Sequence, residues 1–329
     1  MGAPDDKMSA EDRLIADYFK PIATHPGALS LTDDAAFLTP APGTDVVLKT
    51  DAIIGGVHFF PDDDARDVAR KALRVNLSDL AAKGATPLGF LVSLALPKDI
   101  DADWLKRFAL GLREDAEAYQ CPLFGGDTDR TPGPVMVSVS MFGSVPSGAM
   151  VRRAGAKPGH RVFVTGTIGD AALGLVLRQG ASWTLTPPQR DHLMARYLLP
   201  QPRNALAEAV RAYASAAMDV SDGLAGDLTK LCRVSGVAAR IDAAAVPLSE
   251  AARAAIAVDP AMRETALTGG DDFEVLCTVP EPLTQAFRTA AQTARVPVTE
   301  IGVVEAGQGA HFMDAGRELT FKRLSFSHF

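Results

Sequence analysis

A chain of 329 residues with 47% hydrophobic and 22% charged residues has the size and composition of a packed protein of two ordinary domains, which excludes a disordered or fibrous chain. Its formal net charge of −7 argues against a nucleic-acid surface, which works by neutralising phosphates with clustered Lys and Arg. The start MGAPDDKMSAEDRL lacks the basic and apolar regions of a secretory signal, and no window holds about 18 uninterrupted apolar residues, so a cytoplasmic protein with no membrane or nucleic-acid partner is expected.

The first strands and helices are legible from periodicity. VVLKT at 46–50, FLVSLALP at 90–97 and VMVSVSMFGSV at 135–145 alternate or run apolar and predict strands. Residues 66–83 place apolar side chains three and four apart and stop at Gly84, which predicts a helix, and residues 104–119 predict another. The segment PSGAMVRRAGAKPG at 146–159 is rich in Gly, Pro and basic residues, so a domain boundary is expected near 148, giving an N-terminal domain of residues 1–148 and a C-terminal domain of residues 149–329. Beyond it the expected order is a strand at RVFVT, a helix from about Asp170 to Gln179, a helix begun by Thr186 and two prolines, and a helix after 203. A short strand at 215–218, a helix from about Asp222, a strand at VAARI, a helix, a strand at FEVLCTV and a last helix and strand complete it. The expected fold class is α/β (α+β), two domains in tandem. Cys121, Cys232 and Cys277 are few and far apart, which predicts small buried residues rather than a disulfide framework or a thiolate metal site.

Aspartates recur in one setting, just after an apolar strand or on a helix flanked by small residues. They are Asp33 and Asp34 in LTDDAA, Asp51 in LKTDAIIGG, Asp79 in RVNLSDLAAKG, Asp127 in FGGDTDR, Asp219 and Asp222 in MDVSDGL, and Asp271 and Asp272 in TGGDDFE. Strand ends are where α/β proteins bind ligands. Taken singly, each has an ordinary explanation, such as Ser221 or Asp222 capping the next helix or Asp in a Gly-Asp turn. Gathered in one fold, carboxylates repel by about 4 kcal/mol per pair at about 4 Å with an effective dielectric near 20, so a cation is expected among them. Mg²⁺ suits dispersed Asp residues because it takes one or two carboxylates, water and substrate phosphates, whereas the His and Cys sets that zinc needs are absent. Gly125-Gly126 before Asp127 and Gly269-Gly270 before Asp271 would let backbone N–H groups approach an anion. There is no GxxxxGK[ST], no protein-kinase set and no GxGxxG opening a helix, so any ATP would be held through Asp and Mg²⁺.

The ordered series TDDAA, KTDAIIGGVHF, KALRVNLSDLAAKGATP, GGDTDR, RRAGAKPG, VTGTIGDAALGL, DVSDGL, GGDDFEVL and the closing FSHF resembles the thiamine-monophosphate kinase family across nearly the whole chain. That family shares an ATP-binding superfamily with aminoimidazole ribonucleotide synthetase, selenophosphate synthetase and a hydrogenase-maturation protein. The resemblance implies a two-domain aminoimidazole ribonucleotide synthetase-like fold, with an N-terminal barrel-like sheet that dimerises and a C-terminal α/β domain that completes the phosphate and substrate site. It also implies a homodimer that uses ATP as co-substrate and several Mg²⁺ to phosphorylate thiamine monophosphate to thiamine diphosphate. Carried over by position, Asp33, Thr50, Asp51, Asp79, Asp127, Asp219 and Asp222 are implied metal ligands. Gly126, Asp127, Arg153 and Ser221 are implied nucleotide contacts, and His58, Asp271 and Phe326 are implied contacts to the thiamine phosphate. No residue is implied as an acid or base, since the acceptor phosphate is mostly deprotonated at pH 7.

Three departures from the family pattern stand out. Thr32-Asp33-Asp34 replaces Gly-Asp-Asp, Lys49 stands before Thr50 where a Ser or Thr is usual, and GGDDFE replaces GGEDYE. A charged Lys49 cannot ligate a cation, but its ammonium can supply charge in a metal's place. Asp227, five residues beyond Asp222, takes no role from the family and reads as structural or solvent-facing. The alternatives are another ATP-dependent synthetase of the superfamily, such as aminoimidazole ribonucleotide synthetase, or a non-catalytic nucleotide-binding homologue. GGVHF and FSHF resemble the kinase rather than the synthetase.

Overall fold

The apolar runs form two sheets, each built from strands of one part of the chain. A computed structural model describes residues 10–326. By contacts the chain divides into one unit of Met1–Asn76 and Pro87–Ser144 and a second of Leu77–Thr86 and Val145–Phe329. The short segment Leu77–Thr86 thus counts with the second unit, a feature that a single linear boundary does not carry.

Along the first part of the chain run α1 (Ala10–Leu14), β1 (Thr44–Ile54), α2 (Ala65–Ala82), β2 (Thr86–Leu96), α3 (Ala102–Ala118), β3 (Leu123–Arg130) and β4 (Met136–Pro146). The four strands form one sheet in the order β1-β4-β2-β3, which leaves β1 and β3 at its edges. Period-2 patterning holds on β4, where Val137, Val139, Met141, Gly143 and Val145 are buried and the residues alternating with them are not. Asp101 caps α3 by accepting the Trp104 N–H at 2.7 Å. Within this unit Asp115 of α3 is buried and pairs with Arg74 of α2, accepting from its Nε at 2.6 Å and from its second guanidinium nitrogen at 2.9 Å. That bidentate geometry satisfies both buried charges.

Strand β3 was not expected, because its Gly and Asp residues are poor strand formers and read as a turn. It pairs in parallel with β2, setting Leu91 opposite Gly125, Val92 opposite Gly126 and Ser93 opposite Asp127. Gly126 has a packing reason here, since a Cβ at this position would collide with the Val92 carbonyl oxygen.

The second unit contains β5 (Arg161–Thr165), α4 (Asp170–Arg178), α5 (Pro187–Leu198), α6 (Ala207–Tyr213), β6 (Ala216–Asp219), α7 (Leu224–Ser235), β7 (Ala238–Asp242), α8 (Glu250–Val258) and α9 (Met262–Thr268). It continues with β8 (Val275–Val279), α10 (Thr284–Thr293), β9 (Val298–Glu305), β10 (Gly309–Asp314) and β11 (Arg317–Glu318). The one helix expected between VAARI and FEVLCTV is two, and Asp259-Pro260 separates them, since a proline has no N–H to continue a helix. The helix expected from about Asp222 begins at Leu224, so Asp222 lies in the loop before it.

Among the described residues these strands form a seven-stranded mixed sheet in the order β11-β10-β7-β9-β5-β8-β6. Alternation sorts its side chains by face. Val162, Val164, Met218 and Leu276 pack in one cluster with Leu224, Leu228 and Leu231 of α7. Phe163, Ala217, Val275 and Cys277 pack in another with Val210 of α6 and Phe287 of α10. Helices therefore cover both faces, and β5, β6 and β8 are buried almost throughout, as continuous apolar runs demand. The three cysteines are free and buried, and burial pushes the Cys121 and Cys277 thiols up to about 12 and Cys232 to about 11. None is a thiolate at neutral pH. Among the described residues no helix is long and apolar enough to cross a membrane.

Candidate active site

In the first unit, Asp33 and Asp34 follow a turn in which Leu29, Ser30 and Leu31 all have positive φ. Thr32, which stands where the family usually has Gly, has φ −114, a conformation that needs no glycine. Asp33, Gly126 and Asp127 line a single cavity of about 740 Å³, whose apolar wall includes Phe19, Phe124 and Phe142. Ser140 also lines it and donates to Thr50 Oγ1 at 3.2 Å, while Thr50 Oγ1 donates to the Val139 carbonyl at 3.1 Å. On the next residue, Asp51 Oδ2 lies 3.1 Å from Lys49 Nζ, so the ammonium that replaces the usual hydroxyl balances this carboxylate.

His58 follows β1 in a tight loop, where its Nδ1 accepts the Ile54 N–H at 3.0 Å and its own N–H bonds the Ile54 carbonyl at 2.9 Å. A nitrogen that accepts a hydrogen bond carries no proton, so the ring is neutral with its proton on Nε2. Its carbonyl accepts from the buried Lys71 Nζ at 2.8 Å. The ring thereby caps its loop.

In the second unit, apolar β6 ends at Asp219, a carboxylate only 4% exposed, and the chain turns through Ser221 and Asp222 into α7. Three motifs far apart in sequence meet around this turn. Asp271 N–H donates to the Ser221 carbonyl at 2.9 Å, Phe273 N–H to the Val220 carbonyl at 2.8 Å, and Val220 N–H to the Glu274 carbonyl at 2.8 Å. Gly270 is required by this closeness, because a Cβ there would collide with the Ser221 carbonyl oxygen. Asp271 itself sits at φ 74, a strained conformation for a non-glycine residue that the paired backbone on either side maintains. From the C-terminal tail, Phe326 N–H donates to the Asp222 carbonyl at 3.0 Å, and its ring is 50% exposed. The tail crosses α7 at Gly226, where a Cβ would collide with Ser325 and approach the Leu324 carbonyl oxygen at 2.9 Å. The remaining residues of FSHF, 327–329, lie outside the described residues.

Asp79 is half-buried near the C-terminal end of α2, beside Ser78, whose hydroxyl donates to the Phe273 carbonyl at 3.3 Å. Arg153 is exposed on the segment before β5, and its carbonyl accepts from Ser235 Oγ at 3.4 Å. Among the described residues no three His, Cys, Asp or Glu side chains form a metal-sized cluster. The donor set of carboxylates and one hydroxyl fits a hard cation that takes one or two protein oxygens and completes its shell with phosphate and water, and it does not fit an all-protein cage.

Several residues of this region take no functional role from the sequence reading. Asp227 is fully buried rather than solvent-facing. Its Oδ2 accepts the Asp222 N–H at 2.9 Å, and burial pushes its carboxyl up from the ordinary value against the pull of Lys230. Lys230 Nζ donates to Asp222 Oδ2 and, at 2.9 Å, to Asp227 Oδ1. Asp272 is buried and accepts from Gly169 N at 2.6 Å and Ala171 N at 3.2 Å at the start of α4; burial drives its carboxyl well above the usual range, against those two donors. Glu274, fully buried, accepts from Arg203, from Arg196 at 2.8 Å and from Thr165 Oγ1 at 2.6 Å. The only hint of these in sequence was the acidic second half of GGDDFE.

Comparison with known proteins gives the family. Residues 32–145 match the family of AIR synthase related protein, N-terminal domain, and residues 157–314 match AIR synthase related protein, C-terminal domain. Thiamine-monophosphate kinase from Caulobacter vibrioides is 42% identical over 99% of this chain and 93% of its own length. The crystal structure of thiamine-monophosphate kinase from Stenotrophomonas maltophilia superposes with a TM-score of 0.83 at 37% identity, covering 95% of this chain and 98% of that one. A structure described as AaThiL complexed with AMPPCP and TMP superposes with a TM-score of 0.77 at 33% identity, covering 90% and 91%. On this likeness, which spans both halves of the chain and both sets of motifs, the chain belongs to the thiamine-monophosphate kinase family.

Proposed function

We propose that this chain phosphorylates thiamine monophosphate to thiamine diphosphate at the expense of ATP. The observation that carries this reading is the union, in the second unit, of the Asp219-Ser221-Asp222 turn with the Asp271 loop and the Phe326 tail through backbone hydrogen bonds. In support of the reading, these bonds bring carboxylates of a kind suited to a metal–polyphosphate beside Asp271 and Phe326, which the family resemblance assigns to the acceptor. The complex of AaThiL with AMPPCP and TMP supports the same pair of ligands.

In this reading Asp33, Thr50, Asp51, Asp79, Asp127, Asp219 and Asp222 are ligands of Mg²⁺, while Gly126, Asp127, Arg153 and Ser221 contact the nucleotide. When bound, Mg²⁺ supplies the positive charge that lets two polyanions approach. The acceptor phosphate, with a second pKa of about 6, needs no general base. His58 contacts that phosphate. Asp271 orients the thiamine end, and the half-exposed Phe326 ring stacks on the cationic thiazolium, a contact of about 0.5–2 kcal/mol. A homodimer formed through the first sheet is proposed as well, supported by its open edge strand β1, which carries a 72% exposed Leu48. Three free cysteines agree with a cytoplasmic setting.

The test is incubation with Mg²⁺, ATP and thiamine monophosphate. Thiamine diphosphate and ADP are expected in equal amounts, and EDTA is expected to abolish both. ADP without thiamine diphosphate rules the reading out, and binding of both substrates without turnover marks a non-catalytic homologue. A second variant probes the tail. Gly226→Ala leaves α7 helical, since alanine is the better helix former, but its methyl displaces Ser325. The KM for thiamine monophosphate is expected to rise by about 2- to 30-fold, the value of one aromatic–cation contact, with the KM for ATP unchanged. An unmoved KM for the acceptor removes the tail from the acceptor site.

A further inference from the structure

Lys230 lies on α7, one turn beyond Asp227 and eight residues beyond Asp222. Helical side chains lean toward the N-terminus, so Lys230 reaches back over that turn. Its ammonium bonds Asp222 Oδ2 and Asp227 Oδ1 together. The two carboxylates differ. Asp227 is buried and fixed, because its second oxygen holds the Asp222 N–H. The Asp222 side chain is 40% exposed and Lys230 is 29% exposed, so the pair faces outward where a ligand arrives. The ammonium is thus tethered on its inner side to Asp227 and occupies an oxygen of Asp222 on its outer side.

We infer that Lys230 is a resident counter-ion of Asp222, which competes with a divalent cation at that carboxylate in the absence of nucleotide and contributes its own positive charge to the polyphosphate once nucleotide is bound. This rests on the assignment of Asp222 as a metal ligand. A cation reaching Asp222 alone meets the ammonium across one hydrogen bond and is repelled. A cation that arrives with a polyphosphate brings negative charge that the displaced ammonium can bond while keeping its link to Asp227. Lys230 is therefore a positioning residue that makes metal binding depend on nucleotide.

The experiment measures Mn²⁺ binding to the whole protein without nucleotide, from the resonance of free Mn²⁺, and ATP binding in EDTA. Lys230→Gln keeps an amide donor for Asp227 and removes the charge. Mn²⁺ is expected to bind about fivefold tighter or more, the scale of one ion pair at the strong end of the exposed range, and ATP without metal is expected to bind more weakly. Lys230→Arg is expected to retain both wild-type affinities, and the tightening is expected to vanish in Lys230→Gln combined with Asp222→Asn. If Lys230→Gln does not fold, Lys230→Met with Asp227→Asn removes the ammonium together with the buried charge it balances, and the same tightening is expected. Mn²⁺ affinity unchanged or weakened, or tightening that survives Asp222→Asn, overturns the inference. Product formation by the wild type is measured in parallel. Thiamine diphosphate with no Mn²⁺ shift sinks the inference alone, and absence of product sinks the kinase reading whatever the titration shows.

Discussion

Asp222→Asn is expected to lower kcat by about 10²- to 10³-fold at saturating Mg²⁺, the cost of removing one preorganised electrostatic contact at a transferring group. The carboxamide keeps the shape of the side chain and loses the charge that holds a cation. The fold is expected to survive: Lys230, which bonds this side chain, keeps its link to Asp227, and the turn is held through the backbone of Asp222. Its N–H is held by Asp227 and its carbonyl by the Phe326 N–H, and neither depends on the side chain. Asp127→Asn, exposed on β3 and lining the cavity with Asp33, is expected to behave alike. The check is kcat beside a thermal melt: unchanged melting with kcat within a few-fold of wild type would show that the metal site has been misplaced.

Glu274→Gln is expected to destabilise the second unit by about 3–5 kcal/mol, read as a fall in the urea midpoint at constant slope. Glu274 is fully buried and its carboxylate faces both Arg196 and Arg203, whose side chains are 8% and 17% exposed. Neutralising it takes from two largely buried guanidinium groups the carboxylate that both of them face. The consequence reaches the site, because Arg196 also donates to the Asp272 carbonyl at 3.3 Å and the Glu274 carbonyl receives the Val220 N–H. Below the unfolding transition, the variant is expected to show a raised KM for the acceptor through a loosened Asp271. A loss below about 1 kcal/mol would mean that the cluster is effectively solvated.

The helices and apolar strands were legible because their signals are local. A strand such as β5 shows an unbroken apolar run, Val162-Phe163-Val164, and α2 shows its spacing and its terminal glycine. Strand β3 was hidden because FGGDTDR has turn composition, and what keeps it extended is the neighbouring β2, to which only a glycine at 126 permits close approach. The aspartates of DVSDGL and GGDDFE were legible as candidates from their place after apolar runs. That Ser221 carries Asp271, and Asp222 carries Phe326, on backbone hydrogen bonds was not, since the partners lie about 50 and 100 residues apart.

The sequence by itself determined the two-domain α/β class, the family and the chemical character of the site, because these rest on local periodicity and on an ordered series of short motifs. Only the tertiary structure decided which carboxylates are buried and what neutralises them. Asp227 and Lys230 are three apart on one helix, a spacing that predicts contact but not direction. The packing of α7 against the sheet turned that pair inward at one end and toward Asp222 at the other. Likewise Glu274 meets Arg196 and Arg203 across 78 and 71 residues of sequence, and such partners are selected by burial, which makes an unpaired charge too costly to keep.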